Sequence, residues 1–289
     1  MITALTNALT YDKEEHMPSE GLRIQIFGAH PDDPDVRAGG VAALYAQQGH
    51  RVQMVSLTNG DAGHHQIGGA PLAWRRRQEA LAAGARLGAE YIVLDNHDGQ
   101  LVPSIENREQ VIRLIRAFRP DLVMTPRLYD YHPDHRATAQ LVQDAIFLAT
   151  VPNIVSDTPH LRHMPVVVYV EDGFQKPYPF APDVVVGIDE VIGAKFEALG
   201  CHVSQVYEWL PYNRGEEHTV PEEPQARRAW LQAHLEPRFR RPAELHRAKL
   251  LALYGEERGR AIRYAEAFEA CEYGAPLTES NLRRLFPFF

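Results

Sequence analysis

The chain has 289 residues and only two cysteines, Cys201 and Cys271. Two thiols cannot build a disulfide framework. Neither stands in a C-x-x-C pair, so a cysteine-ligated zinc site is not expected. Free thiols suit a reducing compartment, and a cytoplasmic location is the expectation. No apolar run approaches the ~20 residues that a membrane span requires. Residues 1–20 are polar, with Asp12, Glu14 and Glu15 among them, and lack the apolar segment of a secretory signal. They are expected to form a mobile tail or a short lead-in strand. Excess positive charge is lacking too: the formal net charge is −8, which argues against a nucleic-acid partner. There is no internal repeat and no low-complexity segment. No G-x-G-x-x-G pattern follows the first apolar run, which weakens a dinucleotide-binding reading.

What is present is ordinary globular composition, 45% hydrophobic and 24% charged, in a chain long enough for one large domain with or without a small second lobe. Residues 22–29 (LRIQIFGA) read as a buried strand broken by Pro31 and Pro34, and a helix is expected over 36–48. The alternation continues with strand 51–57, helix 73–87, strand 91–94, helix 105–118, strand 121–125 and helix 135–149. Residues 58–72 read as a loop. Strand and helix in repeated succession predict an α/β, Rossmann-like, doubly wound and mostly parallel sheet with helices on both faces. Beyond residue 150, strands are expected at 165–170 and 183–188 and a helix at 190–199. Helical stretches follow near 222–235, 242–253 and 255–271. The expected division is a tail over 1–20, the Rossmann-like domain over 21–210, and a helical C-terminal extension over 211–289 packed on the same domain.

Two clusters carry chemistry. Ala29-His30-Pro31-Asp32-Asp33 follows the first strand, and His132-Pro133-Asp134-His135 opens the helix after strand 121–125. Both fall at the carboxyl edge of the sheet, where ligands bind in such folds. A single His-Pro-Asp is often only a capped turn. Two such clusters at two strand ends provide enough His and carboxylate groups for a catalytic metal with an open position, plus a carboxylate and an imidazole for acid–base work.

These motifs resemble those of the PIG-L/LmbE family of zinc de-N-acetylases, which includes phosphatidylinositol-glucosamine, mycothiol-pathway and bacillithiol-pathway deacetylases. Further segments resemble the family: Thr58-Asn59-Gly60-Asp61, Arg76-Arg77-Gln78-Glu79-Ala80, Asp98-Gly99, residues 195–205 (KFEALGCHVSQ), and Ala265-Glu266-Ala267-Phe268-Glu269. Coverage is roughly residues 20–273. The resemblance implies that His30, Asp33 and His135 bind zinc and that Asp32 is the general base on the metal-bound water. It implies that His132 stabilises the oxyanion or protonates the leaving amine, with Asp134 orienting its ring. Two His and a carboxylate would also suit Fe2+ or another divalent metal.

Arg76, Asp98, Asp61 and His202 are candidate substrate contacts. His64 and His65 fit a solvated loop better than a metal contact. Gln205, Glu171 and Asp172 are candidates for the pocket rim. Tyr129 and Tyr131 flank the second cluster, and residues 207–212 (YEWLPY) could form a sugar-stacking wall or a buried plug. The leading expectation is removal of an N-acetyl group from a small N-acetylglucosamine-type conjugate. The alternatives are hydrolysis of another amide or ester, and, from a different class, a non-catalytic sugar- or nucleotide-binding module. The family often forms assemblies, so a homo-oligomer is compatible with the resemblance.

Overall fold

Arg23–Gly28 forms strand β1, and its residues divide by parity as a strand buried on both faces should. Ile24 and Ile26 join one hydrophobic core, and Phe27 joins the other. The computed structural model describes residues 21–289, so the expected tail over 1–20 lies outside the described residues. Helix α1 (Asp33–Gln47) follows, then β2 (Arg51–Thr58), α2 (Ala70–Leu87), β3 (Glu90–Asn96), α3 (Ile105–Phe118), β4 (Leu122–Thr125), α4 (Pro133–Leu148) and β5 (Val166–Val170). The chain continues through β6 (Val184–Gly187), α5 (Ile192–Leu199), a π turn at Ser204–Trp209, and α6 (Leu210–Arg214). The remainder is α7 (Pro224–Leu245), α8 (Arg247–Tyr254), α9 (Glu256–Ala261), β7 (Ala265–Ala270) and α10 (Glu279–Leu285).

The strands form one seven-stranded sheet in the order β3-β2-β1-β4-β5-β7-β6. Strands β1 to β5 pair in parallel, and β7 runs antiparallel between β5 and β6. Val41, Leu44 and Tyr45 of α1 and Ala80 and Ala83 of α2 pack on one face, and Val111 and Ile112 of α3 and Leu141 and Val142 of α4 pack on the other. This is the doubly wound arrangement expected. The strand order reverses between β1 and β4, and ligands in open α/β sheets bind at that crevice.

The helix expected over 255–271 is replaced by α9 and β7. Its Ala and Glu residues favour helix locally. Pairing between two buried strands overrides that preference, with Ala265 and Ala267 on one face of β7 and Phe268 on the other. The C-terminal part of the chain thus supplies a strand to the central sheet as well as helices. Among the described residues no helix is long and apolar enough to cross a membrane.

Candidate metal and catalytic centre

The first cluster turns back on the end of β1. Asp33 Oδ2 accepts the backbone N–H groups of Ala29 (3.0 Å) and His30 (2.9 Å), and Asp32 N–H donates to His30 O at 2.8 Å. The turn is tight enough that a Cβ on Gly28 would lie 2.6 Å from both Asp33 Cβ and Pro34 Cδ. Pro34 then sits in the first turn of α1, where its missing N–H costs nothing. The second cluster opens α4 in the same way, with Pro133 in the first turn and His132 as the N-terminal cap. Asp134 N–H donates to His132 Nδ1 at 3.2 Å. A neutral His132 therefore carries its proton on Nε2.

The two turns meet at the crevice. His30 Nδ1 lies 3.4 Å from Asp33 Oδ2, His135 Nε2 lies 3.3 Å from Asp33 Oδ2, and the two ring nitrogens are 3.3 Å apart. A tetrahedral centre with ligand distances of about 2.0–2.1 Å has edges of about 3.3–3.4 Å. The three atoms thus span one face of such a tetrahedron, and the donor set fits a divalent metal. His132 is close by: His30, His132 and His135 offer nitrogens within 4.8 Å of one another, and the ring nitrogens of His30 and His132 lie within the same distance of carboxylate oxygens of Asp98 and Asp134. The second group approaches the other side of the His30 ring. His30 Nε2 stands 3.2 Å from Asp98 Oδ1 and 3.4 Å from Asp134 Oδ2, while His135 Nδ1 stands 2.9 Å from Asp130 Oδ1. Each imidazole therefore presents one nitrogen to Asp33 and the other to a carboxylate outside the triangle, the usual support for a ligating histidine.

Protonation follows from this crowding. Burial opposes charge on His30, but the carboxylates of Asp134, Asp33 and Asp98 outweigh it and hold its pKa well above the ordinary value. Burial likewise opposes charge on His135, yet Asp33 and Asp130 raise it to about 9. Asp33 is held well below the usual carboxylate range, because His135 and His30 overcome its burial. His132 moves the opposite way: burial first, then the charges of His30 and His135, lower its pKa.

The expected substrate residues are mostly internal. Arg76 is 2% exposed. Its guanidinium donates to Asp32 Oδ1 at 3.0 Å and Gly60 O at 3.3 Å, and lies 3.7 Å from Asp98 Oδ2. Gly60 is needed there, since a Cβ would come within 2.3 Å of Arg76 Nη1. Arg76 fixes carboxylates and has almost no surface to offer a substrate. His202 is fully buried and faces Asp35 Oδ2 at 3.3 Å, so it is not a pocket wall. Asp61 binds His97 Nδ1 at 2.5 Å and the backbone N–H of Asp98 at 3.0 Å, and so reaches the centre only through Asp98. Asp134 also departs from expectation. Its backbone N–H touches His132, but its carboxylate accepts from Gly99 N–H (2.6 Å) and Leu101 N–H (3.2 Å) and faces His30.

The weaker segments resolve into buried pairs. Ser204 donates to Glu79 through Oγ at 2.6 Å and through its backbone at 2.9 Å, and Gln205 Nε2 donates to Gly63 O at 2.9 Å. Lys195 pairs with Glu266 at 2.5 Å. Loop 59–69 is tied down: His64 Nε2 meets Glu208 at 3.0 Å, and His65 stacks on Tyr212 with ring centroids 3.8 Å apart. Asp130 and Asp35 belong to this network although the motifs do not single them out. Asp130, in the Tyr129-Asp130-Tyr131 run before the second cluster, was the one with a local signal.

Known proteins match this picture. The family described as PIG-L, GlcNAc-PI de-N-acetylase, matches residues 25–146, a span that holds both clusters. Diacetylchitobiose deacetylase of Thermococcus kodakarensis is 32% identical over 209 residues, covering 66% of this chain and 75% of that protein. The chain belongs to the PIG-L family. A second relative, 4-oxalmesaconate hydratase of Pseudomonas putida, is 28% identical over 200 residues, covering 65% of this chain and 76% of that protein. In three dimensions, N,N'-diacetylchitobiose deacetylase from Pyrococcus horikoshii aligns with a TM-score of 0.66 at 23% identity, over 86% of this chain and 84% of that one. That likeness establishes the shared α/β fold.

Proposed function

We propose that this PIG-L protein is a zinc-dependent de-N-acetylase of a small N-acetylglucosamine-type conjugate. The observation that carries the reading is the triangle of His30 Nδ1, Asp33 Oδ2 and His135 Nε2, with edges of 3.3–3.4 Å, beside a separate carboxylate, Asp32. Two imidazoles and one carboxylate form a familiar catalytic zinc set that leaves a position free. Zinc held there would lower the pKa of water to about 7 and polarise a carbonyl oxygen.

The chain's own groups supply the proton transfers. Asp32, held by Arg76 at 3.0 Å, accepts a proton from the attacking water as the new C–O bond forms. His132, neutral because burial and its charged neighbours lower its pKa, donates a hydrogen bond from Nε2–H to the developing oxyanion. The C–N bond then breaks, and the proton on Asp32 passes to the departing amine. Asp98, Asp134 and Asp130 hold the two ligand rings, and Arg76 holds Asp32. The products are acetate and a free amine.

A second reading is addition of water to a carbon–carbon double bond, because a 28%-identical relative is a hydratase. Both readings need a base beside the metal position. Incubating the purified protein with N-acetylglucosamine, N,N'-diacetylchitobiose and 4-oxalmesaconate separates them. Free amine with equimolar acetate supports the first. Loss of the conjugated alkene absorbance, without amine release, supports the second and overturns the first.

A further inference from the structure

The hydrolysis proposed above leaves a group of charges unused. A recess of about 790 Å³ runs between α1 and α7 and is lined by Arg37, Arg238 and Arg241. A narrower arm that includes Asp32 shares Val36, Arg238 and Phe239 with it, so Arg238 stands where the two join. Arg214 and Glu216 both line the narrow arm and offset one another in charge.

The wide recess has no such balance. Its acidic side chains are engaged internally. Glu171 meets His246 at 3.0 Å, and Asp172 takes both Arg127 nitrogens at 2.7 and 2.5 Å. Glu266 pairs with Lys195 at 2.5 Å and accepts Gly40 and Val41 N–H groups at 2.8 Å each. Arg37 gives Nη1 to the backbone carbonyl of Glu171 at 2.5 Å, and its charge also acts on Asp130, whose pKa it helps to lower. Arg238 and Arg241 have no hydrogen-bond or ion-pair partner among the described residues. Arg238 and Arg241 both stand exposed on α7, where their guanidinium groups are open to a ligand. Unpaired guanidinium groups around one concavity repel each other, and an anion brought among them relieves that repulsion.

We infer that this recess binds an anionic substituent, a carboxylate or a phosphate, carried by the same molecule whose amide is cleaved beside Asp32. Arg238 and Arg241 would be its principal contacts, with Arg37 adding charge. The word substrate here rests on the de-N-acetylase reading; the anion site itself does not.

The test uses three sugars: N-acetylglucosamine, N-acetylmuramic acid (a carboxylate) and N-acetylglucosamine 6-phosphate. Binding is measured by calorimetry on metal-stripped full-length protein, and amine release on the zinc-loaded form. Wild type is compared with an Arg238→Gln/Arg241→Gln double variant whose fold is verified by thermal melting. The expected result is at least a tenfold preference for one acidic sugar over the neutral one. That preference falls about 10- to 100-fold in the double variant and weakens with salt. Whether the carboxylate or the phosphate is favoured names the substituent. Equal or undetectable binding of all three sugars overturns the inference, as does a preference that survives in the folded double variant. Selective binding without amine release would keep the anion site and reject the deacetylase, and amine release without preference would do the reverse.

Discussion

Metal uptake by this centre should expel protons, and the number follows from its geometry. Without metal, Asp33 sits 3.3–3.4 Å from two imidazole nitrogens, and protons on those rings occupy the role a cation would fill. His135 titrates at about 9 and His30 well above its ordinary value, so at pH 7 both rings are charged. A metal needs neutral imidazoles, so binding at pH 7 should release about two protons. Removing the proton from His135 alone at that pH costs about 3 kcal/mol, two pH units at 1.36 kcal/mol each. Apparent affinity should therefore rise up to ~100-fold per pH unit between pH 6.5 and 8, and the share that comes from His135 should level off toward pH 9. Stability carries the matching sign. A raised folded pKa means that His135 stabilises the metal-free protein fully below pH 6.5, and that this contribution is lost as pH rises toward about 9. The increase in Tm on adding zinc should accordingly grow with pH. Calorimetry in buffers of different ionisation heat counts the protons. Uptake at pH 7 with no proton release would mean that His30 and His135 are already neutral in the metal-free protein.

Three substitutions follow. Asp130→Asn removes the carboxylate 2.9 Å from His135 Nδ1 and should weaken metal binding ~10- to 100-fold in a chelator competition; wild-type affinity would remove Asp130 from the account. His132→Ala should lower kcat ~10²- to 10³-fold with little change in KM, and a change confined to KM would assign it to substrate binding instead. Gly28→Ala places a Cβ 2.6 Å from Asp33 and Pro34 and should cost about 1–3 kcal/mol in denaturant unfolding; an unchanged midpoint would show that the turn can yield.

Much of the fold was legible because its information is local. Apolar runs alternating with helical periodicity marked β1 through α4, and the two proline-stiffened clusters declared themselves at the ends of β1 and β4. The failures share a cause. Residues 265–270 have helix-favouring composition, and only pairing with β5 and β6 makes them a strand. Arg76 and His202 are candidate substrate contacts in the sequence, yet both are buried against partners distant in sequence, Asp32 for one and Asp35 for the other. Asp134 was assigned to the ring beside it in sequence, and its carboxylate instead faces His30 from across the crevice. Neighbours in space but not in sequence decided each case.

In the proposed reaction Asp32 moves the proton while other residues hold the metal. The most direct test of that division of roles compares wild type with Asp32→Asn, both loaded with zinc, by metal analysis and by amine release from an N-acetylglucosaminide. One zinc per chain is expected in both proteins, with a loss of kcat of at least ~10²-fold in the variant. Full turnover by Asp32→Asn, or loss of its zinc, would contradict that division.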